Sequence, residues 1–134
     1  MTLAPLWDAG PTIAAHALAA IAAFGLGIVQ FCTAKGTPIH RTIGWLWVLL
    51  MMTVSISSFF IHTIRLWGPW SPIHLLAIFT LIMVPIAVLH ARRHQIARHR
   101  AAMISIFVGA LVIAGAFTLL PGRVMHAVVF GAAQ

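Results

Sequence analysis

The stretch IHLLAIFTLIMVPIAVLH, residues 73–90, holds no Asp, Glu, Lys or Arg and is followed at once by Ala91-Arg92-Arg93. A bilayer core takes about 20 apolar residues of helix, and in lipid a segment must close its backbone hydrogen bonds internally. The stretch is therefore read as a membrane-spanning helix. Pro85 within it removes one backbone hydrogen bond, exposes the carbonyl of Leu81 and predicts a kink.

Three more runs of the same kind cover residues 12–33, 43–64 and 101–120. The four together predict an all-α fold, an integral membrane four-helix transmembrane bundle forming one domain over residues 1–134. The connectors carry breakers: Lys35-Gly36-Thr37-Pro38, Gly68-Pro69-Trp70-Ser71-Pro72, the basic stretch from Arg92 to Arg100, and Pro121-Gly122. Ser71 before Pro72 predicts an N-cap followed by proline at the first helical position. Composition agrees, because 62% hydrophobic and 7% charged residues stand far from the roughly half and quarter of soluble domains. Residues 1–10 contain Asp8 and no Lys or Arg, so they lack the positive region of a secretory signal peptide, and the first span is expected to stay in the protein. Cys32 is the single cysteine, which excludes an internal disulfide or a CxxC redox pair.

The formal net charge is +7. The cations flank apolar spans, where they set topology and meet anionic lipid head groups, so nucleic-acid binding is excluded. Lys35, Arg41, Arg92, Arg93, Arg98 and Arg100 fall on the side of the first and third loops, against Arg65 and Arg123 on the other. The excess of positive charge assigns the first side to the cytoplasm, with both termini on the outer, periplasmic side of a bacterial inner membrane. Trp45 and Trp47 at one boundary, with Trp7, Trp67 and Trp70 at the other, read as two aromatic belts. Small residues at Ala15, Ala19, Ala23 and Gly27, and at Ser105 with Gly109, predict faces of close helix packing.

Eight histidines accompany a single acidic residue. Ionisable groups at membrane depth are costly and point to function. Ser55, Ser58, His62 and Arg65 follow i, i+3, i+7 and i+10 spacing, which places them on one helical face at the outer end. His16, His74, His126 and Arg123 reach the same boundary from the other helices. The candidate cofactor-binding set is therefore His16, His62, His74, His126, Arg65 and Arg123, with the four histidines as candidate metal ligands. Imidazole ligates haem iron, copper and zinc, and helical bundles build such sites from facing helices. For haem b, two of the imidazoles would serve as axial ligands and the arginines would pair with propionates; copper or zinc would take three or four. The near absence of carboxylates argues against carboxylate-rich metal sites and proton relays. At the cytoplasmic side, His90 and His94 have i, i+4 spacing but lie among Arg92, Arg93, Arg98 and Arg100, which reads as a basic helix end against anionic lipid.

His16, Gln30, His40-Arg41 with Gly44, Ser71-Pro72-Ile73-His74, His99-Arg100 with Met103, and Pro121-Gly122-Arg123 with His126 carry a resemblance over most of the chain. The pattern resembles a family of small bacterial four-helix predicted membrane proteins catalogued as a domain of unknown function, number twenty-three-oh-six. That resemblance implies a bacterial inner-membrane protein with these histidines as its signature and implies no activity. A looser similarity to b561-like four-helix haem cytochromes rests on helices bearing histidines. A leading reading and two alternatives stay open, and no catalytic residue is assigned in any of them. The leading one is a non-hydrolytic redox or cofactor-binding protein holding haem b at the outer histidines, with quinone as an electron partner; the alternatives are an accessory subunit contacting other membrane subunits, or an outer-face copper or zinc binder.

Overall fold

The computed structural model describes residues 1–61, 68 and 71–131. Among these residues every regular element is helical. In chain order they are α1 (Ala4–Asp8), α2 (Pro11–Cys32), α3 (Pro38–Ser58), α4 (Pro72–Arg92), α5 (Ile96–Ile106), a π-helical stretch (Phe107–Ile113), α6 (Ala114–Thr118) and α7 (Val124–Phe130). Four helices are long and apolar enough to cross a membrane: α2, α3, α4 and the continuous run Ile96–Thr118. At 21 to 23 residues each and 1.5 Å per residue they match a hydrocarbon core of about 30 Å.

Proline opens the first three spans, each time after a residue suited to the start of a helix. Gly10 precedes Pro11 at φ 103°, a conformation open to glycine. Thr37 precedes Pro38, and its Oγ1 accepts from the His40 N–H at 3.2 Å. Ser71 precedes Pro72 in extended conformation, as its sequence position predicts. The ends are closed as specifically. The Lys35 ammonium donates to the carbonyls of Phe31 and Thr33, both at 2.9 Å, placing a cation at the negative end of α2. At the end of α4 the His94 N–H bonds the Ala91 carbonyl at 3.1 Å and the Gln95 N–H bonds the His90 carbonyl at 2.9 Å. That is a Schellman turn. Its left-handed position, usually glycine, is filled by His94 at φ 56°.

Several boundaries differ from the sequence reading. The Schellman turn reverses the chain within residues 93–95, so much of the basic stretch expected as a connector is helix, and Arg98, His99 and Arg100 ride on the first turns of α5. The second span starts at Pro38 instead of 43 and leaves the helix after Ser58 instead of 64. Phe59, Phe60 and Ile61 form tight i→i+3 bonds there. Their apolar side chains prolong the hydropathy signal past the helix, because hydropathy reports the solvent a residue prefers and not its backbone hydrogen bonds. The short helices α1 and α7 had no counterpart in the sequence reading.

The main core joins α2, α3, α4 and the fourth span around Ala23, Trp47, Met51, Val84, Ile106 and Phe107. Gly27 permits its closest approach: a Cβ there would overlap the Phe107 ring and sit 3.2 Å from Trp47 Nε1. Trp47 donates its indole N–H to the Ala23 carbonyl at 3.0 Å and is 2% exposed. It is a core residue tying α3 to α2, not part of an interfacial belt, whereas Trp45 is 53% exposed. The small-residue ridge of α2 holds at Ala23 and Gly27 but not at Ala15, which is exposed, and Ser105 is exposed as well. Ala14 and Ala17 are buried in its place, packed with Leu6 of α1 and Val128 of α7. The Thr2 N–H bonds the Val128 carbonyl at 3.2 Å. Both ends of the chain thus meet at one end of the bundle, as an even number of spans requires.

Candidate functional site

At the terminus-bearing end, His16 of α2 is half-buried with its Nδ1 2.8 Å from Ser57 Oγ of α3. Ser57 donates its hydroxyl proton to the Val54 carbonyl at 3.0 Å, so its oxygen accepts from His16 Nδ1–H. The neutral ring then keeps its lone pair on Nε2. His126 of α7 behaves alike, since its Nδ1 lies 2.8 Å from the Leu119 carbonyl, which can only accept. Its ring packs on Phe130 at a centroid distance of 5.0 Å. His74 is the opposite case. The Ser71 N–H donates to His74 Nδ1 at 3.1 Å, and Ser71 Oγ lies 3.0 Å from the same atom, so the neutral ring carries its proton on Nε2. It is 2% exposed and caps the start of α4 beside Phe59, at 5.9 Å between ring centroids. Arg123 occupies the N-cap position of α7.

His62 and Arg65 lie outside the described residues. The part of the expected Ser55–Ser58–His62–Arg65 face that is described is Ser55 and Ser58, in the last turn of α3. Ser55 and Ser58 are indeed both buried, but the Ser58 hydroxyl donates to the Ser55 carbonyl at 2.7 Å and is satisfied locally. Among the described residues no three of the His, Cys, Asp and Glu side chains form a group able to hold a metal ion. His16, His74 and His126 are not gathered in that way.

The basic end holds a different arrangement. Gln30 Nε2 donates to the His40 carbonyl at 2.7 Å, bridging the end of α2 to the first turn of α3. A carbonyl can only accept, so the amide orientation is fixed and Gln30 Oε1 is the remaining atom. That oxygen and His40 Nδ1 are both buried with no hydrogen-bond partner, a condition that costs about 1–3 kcal/mol per group. Gly44 allows the approach, since a Cβ there would meet Gln30 Nε2 at 3.1 Å. His99 of α5 donates Nδ1–H to the Ala87 carbonyl of α4 at 2.8 Å and stands close enough to His40 for their charges to interact. His90 Nδ1 bonds Gln95 Oε1 at 2.7 Å, while His94 sits past the helix end. The i, i+4 spacing of His90 and His94 therefore does not make a helical pair.

Residues 13–132 match the family described as "Predicted membrane protein (DUF2306)". The chain belongs to the DUF2306 family. Neither the curated proteins nor the solved structures contain a match, and the likeness to b561-type cytochromes gains no support from them.

This DUF2306 bundle thus carries polar side chains with hydrogen-bonding roles at each end. The set at the basic end, Gln30, His40, Gly44 and His99, was quoted for the family resemblance but not chosen as a site. Its members sit on three helices, and only His40 and Gly44 share a helical spacing, so the residue pattern is the signal that joins them. Chemically, the terminus-bearing end offers imidazole lone pairs fixed by Nδ1–H bonds to oxygen. The basic end of the DUF2306 chain offers a buried amide oxygen and a buried imidazole nitrogen.

Proposed function

We propose that the protein is a redox or cofactor-binding membrane protein that holds haem b at its terminus-bearing end and exchanges electrons with quinone in the bilayer. The observation that carries this reading is His16, whose Nδ1–H is anchored through Ser57 to the Val54 carbonyl. Metal-ligating histidines are oriented in this way, by a hydrogen bond from the other ring nitrogen to oxygen. His126 shares that orientation. Arg123, with Arg65, supplies positive charge for propionates. His74 fits differently: with its proton on Nε2 it acts as a donor and positions α4, and His62 stands as the further ligand in this reading. Copper or zinc is the weaker cofactor, because it calls for three or four imidazoles in one group.

The test is the reduced-minus-oxidised visible spectrum of full-length protein purified from haem-replete cells. A Soret band with sharp reduced bands is expected, abolished by His16→Ala and preserved in position by His74→Ala. Colourless parent protein overturns haem binding, and stoichiometric copper or zinc in that colourless protein replaces it with the metal reading.

A second reading, a structural or accessory subunit of a larger membrane complex, is favoured by the way His74 caps α4 and His126 binds the carbonyl of Leu119 after α6. It predicts that His16→Ala, His74→Ala and His126→Ala change thermal stability alone. For orientation, the excess of cations at the basic end supports a reading in which that end faces the cytoplasm of a bacterial inner membrane and both termini face outward. In a Cys32→Ser background, Ala34→Cys should be blocked by a membrane-impermeant maleimide in inverted vesicles and not in intact cells; the reverse pattern overturns the assignment.

A further inference from the structure

The chain has one acidic residue, Asp8, in α1 at the terminus-bearing end. The basic end carries Lys35, Arg41, Arg92, Arg93, Arg98 and Arg100. No carboxylate side chain lies at that end to neutralise them, so any anionic partner has to come from outside the chain.

One of these arginines stands at the mouth of a built feature. Between α3 and α4 runs a groove of about 370 Å³ lined by Trp45, Val48, Met52, Val84, Pro85 and Arg92, among others. That volume falls within the range of roughly 300–1,000 Å³ typical of small-molecule sites. Of its lining residues Val84 is buried, Val48 and Met52 are half-buried, and Pro85 and Trp45 are exposed. Arg92 is exposed and its guanidinium lies over the Trp45 ring, 5.8 Å from the centroid. A cation–π contact at that distance biases the guanidinium toward the Trp45 side of the groove and leaves its N–H groups free to donate hydrogen bonds. From Arg92 to Pro85 the groove descends seven residues of α4, roughly 10 Å at helical rise. A single cation at the boundary above an apolar trough that deep has the form of a phospholipid, head group above and acyl chain below. Basic pockets between transmembrane helices bind anionic head groups by this geometry.

We propose that the groove between α3 and α4 is a specific site for an anionic phospholipid, its phosphate paired with Arg92 and its acyl chain laid along Val48, Met52 and Val84. The site is distinct from bulk lipid contact because the trough is concave and the charge above it is biased toward its Trp45 side. Detergent-purified full-length protein should be titrated with phosphatidylglycerol, phosphatidylcholine and inorganic phosphate, and followed by native mass spectrometry and thermal unfolding. Phosphatidylglycerol should stay bound under activation that strips phosphatidylcholine, and should raise the melting midpoint. Arg92→Gln should weaken its retention roughly fivefold, the effect of one interfacial arginine, while Arg100→Gln, outside the groove, should leave it unchanged. Val48→Phe keeps the charge and fills the trough, and it should lose retention too, so the test stands even if Arg92→Gln folds poorly. Equal retention of the two lipids, equal retention in the parent and Val48→Phe proteins, or a melting shift reproduced by inorganic phosphate alone overturns the proposal.

Discussion

The two ends of the bundle differ in how fully their polar groups are engaged. At the terminus-bearing end the Nδ1 atoms of His16, His74 and His126 each engage a neighbour in the same chain: Ser57, Ser71 or the Leu119 carbonyl. At the basic end His40 Nδ1 and Gln30 Oε1 are buried without partners, while the exposed cations around them have no carboxylate to meet. Polar groups at the first end hold helix ends in place. At the second, His90 and His99 do the same through Gln95 and the Ala87 carbonyl, whereas Gln30 Oε1 and His40 Nδ1 are enclosed by the close approach at Gly44. A count of histidines per side cannot register this difference, since it lies in which ring atom is already occupied.

Three tests, built on five substitutions, sharpen or break the contrast. The largest effect is expected where the α2 ridge is real. Gly27→Ala puts a methyl against the Phe107 ring and should lower stability by about 1–3 kcal/mol, the range for overpacking a tight core. Ala15→Leu, on the exposed flank of the same helix, should shift the detergent melting curve little. Similar losses in both would mean that Ala15 packs against a neighbour and that the ridge continues to the terminus-bearing end.

An intermediate effect separates the polar groups of the two ends. Ser71→Ala removes the cap of α4 and should cost about 1 kcal/mol. Gln30→Met removes one hydrogen bond worth about 1 kcal/mol and also a buried unpaired acceptor costing about 1–3 kcal/mol, so stability should hold or rise. Denaturation of both variants in one detergent reads the difference. A loss for Gln30→Met equal to that for Ser71→Ala would show that the basic-end amide is structural after all.

The smallest effect concerns the turn after α4. His94→Gly relieves a left-handed backbone in a side-chain-bearing residue and should stabilise by about 1 kcal/mol. Unchanged or lower stability would show that the His94 side chain contributes at the basic end beyond its backbone role.

The spans were legible because apolar runs of about 20 residues have few alternatives in lipid, and because Ser71-Pro72 and its counterparts announce helix starts. The first and third spans match the sequence reading within two residues at each end. The end of the second did not, because Phe59 to Ile61 remain apolar after leaving the helix. The helices α1 and α7 were hidden by their length, since five and seven residues show no periodicity and owe their place to packing between Leu6 and Val128. Trp47 illustrates a different limit. Its indole N–H has to find an acceptor, and only the fold shows that the acceptor is the Ala23 carbonyl and not water at the boundary. For the candidate sites, sequence placed His16, His74, His126 and Arg123 near one boundary but not their tautomers, which follow from Ser57, Ser71 and Leu119. The partnership of Gln30 with His40 joins two helices across a loop whose length alone does not set their register.

The three-residue turn between α4 and α5 also bears on how the chain enters the membrane. Two spans joined so tightly cannot take independent orientations; once α4 is placed, the fourth span lies antiparallel beside it, and the pair enters as a hairpin. Reversing that hairpin would carry Arg92, Arg93, Arg98 and Arg100 through the hydrocarbon, at about 2.5–3.5 kcal/mol for each arginine on insertion scales. One short turn and the guanidinium groups around it thus make reversal of this hairpin, once inserted, energetically costly.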